Sequence, residues 1–214
     1  MNQRIINYSV IALAYAAVLF PLWIWFRNLG SLGTVSSVTF LFPAFGLIAF
    51  SVLWLHAISG VFEPWLRKHF DFDRFVRYTS LIVLISIILH PLLLLFRFNL
   101  NLKAILSNYE ADDIMLGIVG WLLLITYDIG KPLKRYDFFS RNWNNILLIS
   151  TIGFLLIFFH SLSLGSDLQT GVLRILWIFY GVTAILATIY TYGIKRLFMN
   201  SQIAMGTPTD IAEE

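Results

Sequence analysis

Four histidines carry most of the chemistry open to this sequence, because the chain contains no cysteine. Disulfides, thiolate nucleophiles and cysteine-ligated clusters are thereby excluded. His90 sits in the apolar run IILHPLLLLF and His160 in LLIFFHSLSLG. His90 precedes Arg97 by seven residues, His160 precedes Asp167 by seven, and each charged residue ends its run. The two imidazoles therefore share one depth on two helices that travel in the same direction. Polar groups inside a bilayer are costly and default to functional hypotheses. Two neutral imidazoles facing each other across a gap can supply both axial ligands of a haem iron. The plainer alternative is that each one hydrogen-bonds a neighbouring helix or lines a polar cavity. A tetrahedral zinc site is disfavoured, since no Cys, Asp or Glu lies at that depth to complete it.

The other two histidines read differently. His56, in VLWLHAISG, lies near the far end of its own apolar run, and no second histidine matches its depth. A helix-packing hydrogen bond explains it, or a role lining the site of a flavin, a quinone or a second cofactor. His69 lies in the basic stretch WLRKHFDFDRFVR and reads as a solvated loop residue.

The elements that must position these groups are long apolar helices. Hydrophobic residues make up 58% of the 214 positions and charged residues 13%, with a mean hydropathy of +0.78. A soluble domain needs about twice that share of charge to cover itself. Spanning a hydrocarbon core takes about 20 helical residues, which allows six spans and short loops. The expected fold is all-α, a polytopic six-helix membrane bundle. Its spans fall at about 8–26, 38–62, 78–96, 114–129, 145–164 and 172–193, inside a membrane domain of 1–199 followed by a polar tail, 200–214. The first apolar run is long and lacks a small-residue cleavage site, so it reads as a membrane helix and not as a signal peptide. No internal repeat is evident.

Orientation follows from the basic residues. Arg4, Arg67, Lys68, Arg74, Arg77, Lys131, Lys134, Arg135, Arg141, Lys195 and Arg196 fall on one side of the predicted topology. Arg27, Arg97, Lys103 and Arg174 fall on the other. The positive-inside bias then puts both termini in the cytoplasm, as an even number of spans requires. The net charge of +3 is a topology signal of this kind and does not point to nucleic acid.

The stretch His160–Arg174, HSLSLGSDLQTGVLR, with LWIFYG after it, resembles the fifth and sixth helices of the ferric reductase-like transmembrane domain family. FDFDRFVRYTSLIVLISIILH is similar to that family's entry into its third helix. The family includes NADPH oxidases, STEAP metalloreductases and the haem-binding subunit of bacterial methionine sulfoxide reductase. The resemblance spans roughly residues 40–195. It implies six helices with b-type haem between the third and fifth, ligated here by His90 and His160. Many members stack two haems on paired histidines 13 or 14 residues apart. Here those positions are Val76 and Arg77 on one helix and Ile146 and Leu147 on the other. One haem, in the outer half of the membrane, is the consistent expectation. By the same analogy His56, Arg77, Tyr78 and Trp143 would line an inner flavin or quinone site. Arg97 and Arg174 would pair with haem propionates, unless they are ordinary interfacial arginines.

These readings converge on a haem-b electron-transfer protein of the plasma membrane or a prokaryotic inner membrane. Electrons would enter from a cytoplasmic flavin reductase or quinol and leave to an acceptor outside. About 18 Å of helix separates Tyr78 from His90, so a second carrier is expected on the inner side. No Gly-rich dinucleotide fingerprint is present, so no dehydrogenase domain is expected within this chain. A proton or small-solute transporter with Asp128 in a relay, or a non-catalytic membrane subunit, are the rival readings.

Overall fold

A computed structural model describes residues 3–29 and 41–195. The expected polar tail at 200–214 and the start of the second span at 38–40 lie outside the described residues. Ten α-helices follow one another: α1 (Gln3–Leu29), α2 (Phe42–Val61), α3 (Glu63–Arg67), α4 (Phe72–Arg97), α5 (Leu102–Asn108), α6 (Ala111–Leu124), α7 (Thr126–Leu133), α8 (Asp137–Arg141), α9 (Trp143–Leu164) and α10 (Gly171–Ile189). Six stretches are long and apolar enough to cross a bilayer: Asn7–Asn28, Phe42–Val61, Phe72–Arg97, Ala111–Leu133, Trp143–Leu164 and Gly171–Ile194. The chain is an all-α polytopic membrane protein. Its surface agrees: Leu13, Ile175 and Leu186 are 70%, 71% and 60% exposed, which water would not tolerate on this scale and lipid does.

Two antiparallel hairpins form the centre. In one, α2 packs on α4; in the other, α6 and α7 pack on α9. The helix α10 lies against α2 and α9, and α1 runs beside α2 and α10. Phe50 of α2 is 1% exposed, its ring 4.4 Å from Trp177 of α10 and 5.0 Å from Phe154 of α9. Offset aromatic packing of this kind joins the two hairpins to α10.

Local chemistry explains where helices begin and break. The third span starts six residues earlier than its hydropathy suggested, because the Asp71 carboxylate accepts the Arg74 backbone N–H and caps α4. The charge-bearing stretch 72–77, FDRFVR, is thus helical. The fourth span is interrupted at Ile125, between α6 and α7. There the Thr126 hydroxyl donates to the Leu123 carbonyl at 2.6 Å and the Ser150 hydroxyl to the Leu124 carbonyl at 3.0 Å. Hydroxyls compete here for carbonyls of the backbone ladder. Gly171, at φ +79°, turns the chain into α10 where a Cβ would be strained.

Two prolines inside spans are handled identically. A helical proline has no N–H for the carbonyl four residues before it. Pro91 frees the Ile87 carbonyl, and Trp121 of α6 donates its indole N–H to it at 3.0 Å. Pro21 frees the Ala17 carbonyl, and the Tyr180 hydroxyl of α10 donates to that one at 2.8 Å. An unpaired carbonyl in hydrocarbon costs several kcal/mol. Each proline therefore dictates which aromatic donor must lie opposite it.

Candidate functional site

The end of the bundle that carries His90 and His160 is built from the starts of α2 and α6 and the last turns of α4 and α9. His90 reaches from α4 to the first residue of α2, with its Nδ1 2.7 Å from the Phe42 carbonyl oxygen. His160 reaches from α9 to α6, with its Nδ1 2.8 Å from the Asp113 carbonyl oxygen. A carbonyl only accepts, so Nδ1 carries the proton in both rings, and Nε2 keeps a lone pair. Both imidazoles are enclosed by helices yet retain some accessible surface, and they lie close enough to interact electrostatically.

This is the donor set a bis-imidazole haem needs. A ligating histidine takes the metal on one nitrogen and donates its other N–H to a carbonyl or carboxylate, which fixes the tautomer and raises ligand basicity. Both residues meet that condition, and they do so from two different hairpins. A bare metal ion is served less well: among the described residues no group of three His, Asp or Glu could hold one.

The neighbours of these rings are also defined. Arg97 lies 5.4 Å over the Phe42 ring, and that ring is 5.6 Å from His90, so Arg97 belongs to the His90 neighbourhood. Arg174 is half-buried and donates to the Leu168 carbonyl at 3.0 Å, which ties it to the turn after α9. Trp177 donates to the Ser161 hydroxyl at 2.7 Å, beside His160. Outside His160 lies a polar hollow of about 570 Å³ lined by Glu110, Asp113, Ser163 and Gln169 among others. Asp167, in the turn at this end, is half-buried. Burial pushes its carboxyl above the usual carboxylate range, while a hydrogen bond from the Trp25 side chain pulls the other way.

The four residues expected to line an inner cofactor site have the following contacts. His56 has its Nε2 2.6 Å from the Thr79 hydroxyl and its ring edge-on to Phe75 at 5.9 Å. It also lies within electrostatic reach of Lys131. Tyr78 is 57% exposed and carries the Arg74 guanidinium 5.9 Å above its ring. Arg77 is exposed. Trp143 packs 5.7 Å from Tyr127, with Lys134 4.8 Å above it. His69 is half-buried, stacks on Trp65 at 4.3 Å, and has its Nδ1 2.7 Å from the Trp65 carbonyl oxygen.

Sequence reasoning did not find Phe42 and Asp113, because their contribution is a backbone carbonyl, which carries no residue signature. Trp121 had a findable signal: a proline directly after His90 announces an orphan carbonyl at Ile87. Compared with known proteins, the chain matches no family model, and no similar curated protein or solved structure was found.

Proposed function

We propose that this chain is a haem-b-binding membrane electron-transfer protein, the membrane component of an oxidoreductase system of the ferric reductase-like kind. The observation that carries the reading is the pair of imidazoles, each locked in the Nδ1–H tautomer by a carbonyl of its partner helix. Bound haem b would supply a one-electron couple. The chain's own residues would do the rest. His90 and His160 present unprotonated Nε2 atoms, and the surrounding Leu, Ile and Phe residues keep water away. Arg97, over the Phe42 ring that packs against His90, would be the partner of an anionic propionate.

With both termini cytoplasmic, as the basic loops favour, the histidine pair lies in the outer half of the membrane. Electrons enter from a flavin reductase or quinol on the cytoplasmic side. The polar hollow lined by Asp113, whose carbonyl receives His160, supports release to an acceptor on the outer side.

The test is an absorption spectrum of protein purified from haem-supplied cells. A Soret band with sharp reduced α and β bands, at about one haem per chain, is expected. His90→Ala and His160→Ala should each abolish it. Colourless wild-type protein sinks the reading, and two haems per chain sinks its single-site form.

A further inference from the structure

The two histidine seats are copies of one another. Phe42 and Gly46 are four residues apart on α2, and Asp113 and Gly117 are four apart on α6. Each imidazole bonds the carbonyl of the first member and lies over the glycine. The connectors at the other end echo each other too. Leu66-Arg67-Lys68-His69 is followed after two residues by Phe72-Asp73-Arg74. Leu133-Lys134-Arg135-Tyr136 is followed after two residues by Phe139-Ser140-Arg141. Each connector has a proline shortly before it, Pro64 and Pro132, and each later helix carries a serine ten residues before its histidine, Ser80 and Ser150. No repeat is evident in the linear sequence, yet residues 42–97 and 113–164 each form a helical hairpin that seats its histidine in the same way.

The seat has a geometric requirement. The carbonyl of residue i points along the helix toward residue i+4, and the Cβ of residue i+4 leans back toward residue i on the same face. A side chain that reaches this carbonyl must pass over position i+4. At Gly46 an added Cβ would stand 3.1 Å from both Nδ1 and Cε1 of His90. At Gly117 it would stand 2.5 Å from Nδ1 and Cε1 of His160 and 3.0 Å from Nε2. At Gly117 these distances are shorter than real contacts of a Cβ, so the ring must move, whereas at Gly46 it must give by a few tenths of an ångström.

We propose that Gly46 and Gly117 are positioning residues, one per hairpin, whose missing side chains let His90 and His160 engage the Phe42 and Asp113 carbonyls and hold Nε2 free for a metal. This extends the haem reading to residues that touch neither metal nor macrocycle, and the seat itself is testable without haem. Other glycines provide controls. A Cβ at Gly60 of α2 meets nothing within 4 Å. At Gly153 it would strike the α6 backbone, 2.5 Å from the Leu124 nitrogen and 2.6 Å from the Gly120 carbonyl oxygen, and so damages packing without entering a seat.

The experiment uses the full chain with ¹⁵N-labelled histidine, and compares wild type with Gly46→Ala, Gly117→Ala, Gly60→Ala and Gly153→Ala. Histidine nitrogen shifts read the tautomer with or without haem, and absorption reads ligation. Wild type should show Nδ1–H at His90 and His160. Gly117→Ala should lose that signature at His160, and Gly46→Ala should weaken it at His90. Haem retention should fall about ten- to hundredfold in Gly117→Ala, with a smaller loss in Gly46→Ala. Exogenous imidazole should restore the low-spin spectrum. Gly60→Ala should match wild type, and Gly153→Ala should lose thermal stability while the Nδ1–H signals persist in the folded fraction. Unchanged His90 and His160 signals in both seat variants overturn the proposal, as does the absence of the Nδ1–H tautomer in wild type. A colourless wild type with the predicted nitrogen shifts would instead overturn the haem reading and leave the seats standing. Should Gly117→Ala fail to fold, Gly46→Ala carries the test, since 3.1 Å is a clash a small shift relieves.

Discussion

His90 and His160 stand against His56 as a contrast within one residue type. All three are intramembrane histidines hydrogen-bonded by the protein. The first two bond carbonyls on a facing helix through Nδ1, whereas His56 uses Nε2 against a hydroxyl, Thr79, that can both give and take a proton. A carbonyl partner dictates the tautomer; a hydroxyl partner leaves it open. The Thr79 hydroxyl already donates to the Phe75 carbonyl at 2.7 Å, so its remaining capacity is as an acceptor, and His56 Nε2–H serves as its donor. That nitrogen is then spent inside the protein. The difference teaches that burial of an imidazole is not itself a sign of ligation. What separates a ligand from a packing residue is which nitrogen is left over and whether a second ring stands nearby to share its use.

Four expectations bear on this contrast. The largest effect belongs to the pair itself: His90→Ala or His160→Ala should eliminate the Soret band, while His56→Ala should leave it in place, as measured on detergent-purified protein. Equal loss in all three would erase the distinction drawn here. Next comes Trp121→Phe, which strips the donor from the carbonyl that Pro91 frees one turn from His90. A cost of about 1 kcal/mol in unfolding free energy is expected, together with broadened haem bands. Tyr180→Phe at the matching Pro21 clamp should cost a similar amount and leave the bands sharp. A third variant, Thr79→Val, removes the partner of His56; it should lower thermal stability by about 1 kcal/mol or less without altering haem content. The smallest effect is expected at Asp167. Its carboxyl titrates above the usual range, so the folded state carries a penalty at neutral pH that disappears as pH falls through the raised value. Asp167→Asn should therefore be more stable than wild type at neutral pH, by a margin that shrinks as pH falls, and leave the spectrum alone. A margin in melting temperature that grows on acidification would reverse that sign.

Much of the architecture was legible in one dimension because a bilayer imposes a length and a polarity on every span. All six spans overlap their expected positions. The depth match of His90 and His160 was legible too, since a helix converts a count of residues into height at about 1.5 Å each. Where expectation missed, the cause was local polar chemistry that hydropathy averages away. Asp71 extended α4 downward, and Thr126 and Ser150 engage carbonyls where the fourth span is interrupted. The grouping of His56, Arg77, Tyr78 and Trp143 rested on depth and analogy, and depth by itself says nothing about azimuth.

The sequence by itself determined a membrane bundle of six helices and the height of each histidine along its helix, because each follows from local spacing along one helix. Only the tertiary structure decided which way the rings turn and what receives them. The carbonyls that orient His90 and His160 lie 48 and 47 residues away in the chain. The glycines that make room for the rings are distinguished by atoms they lack, and such absences acquire meaning only once another helix is packed against them.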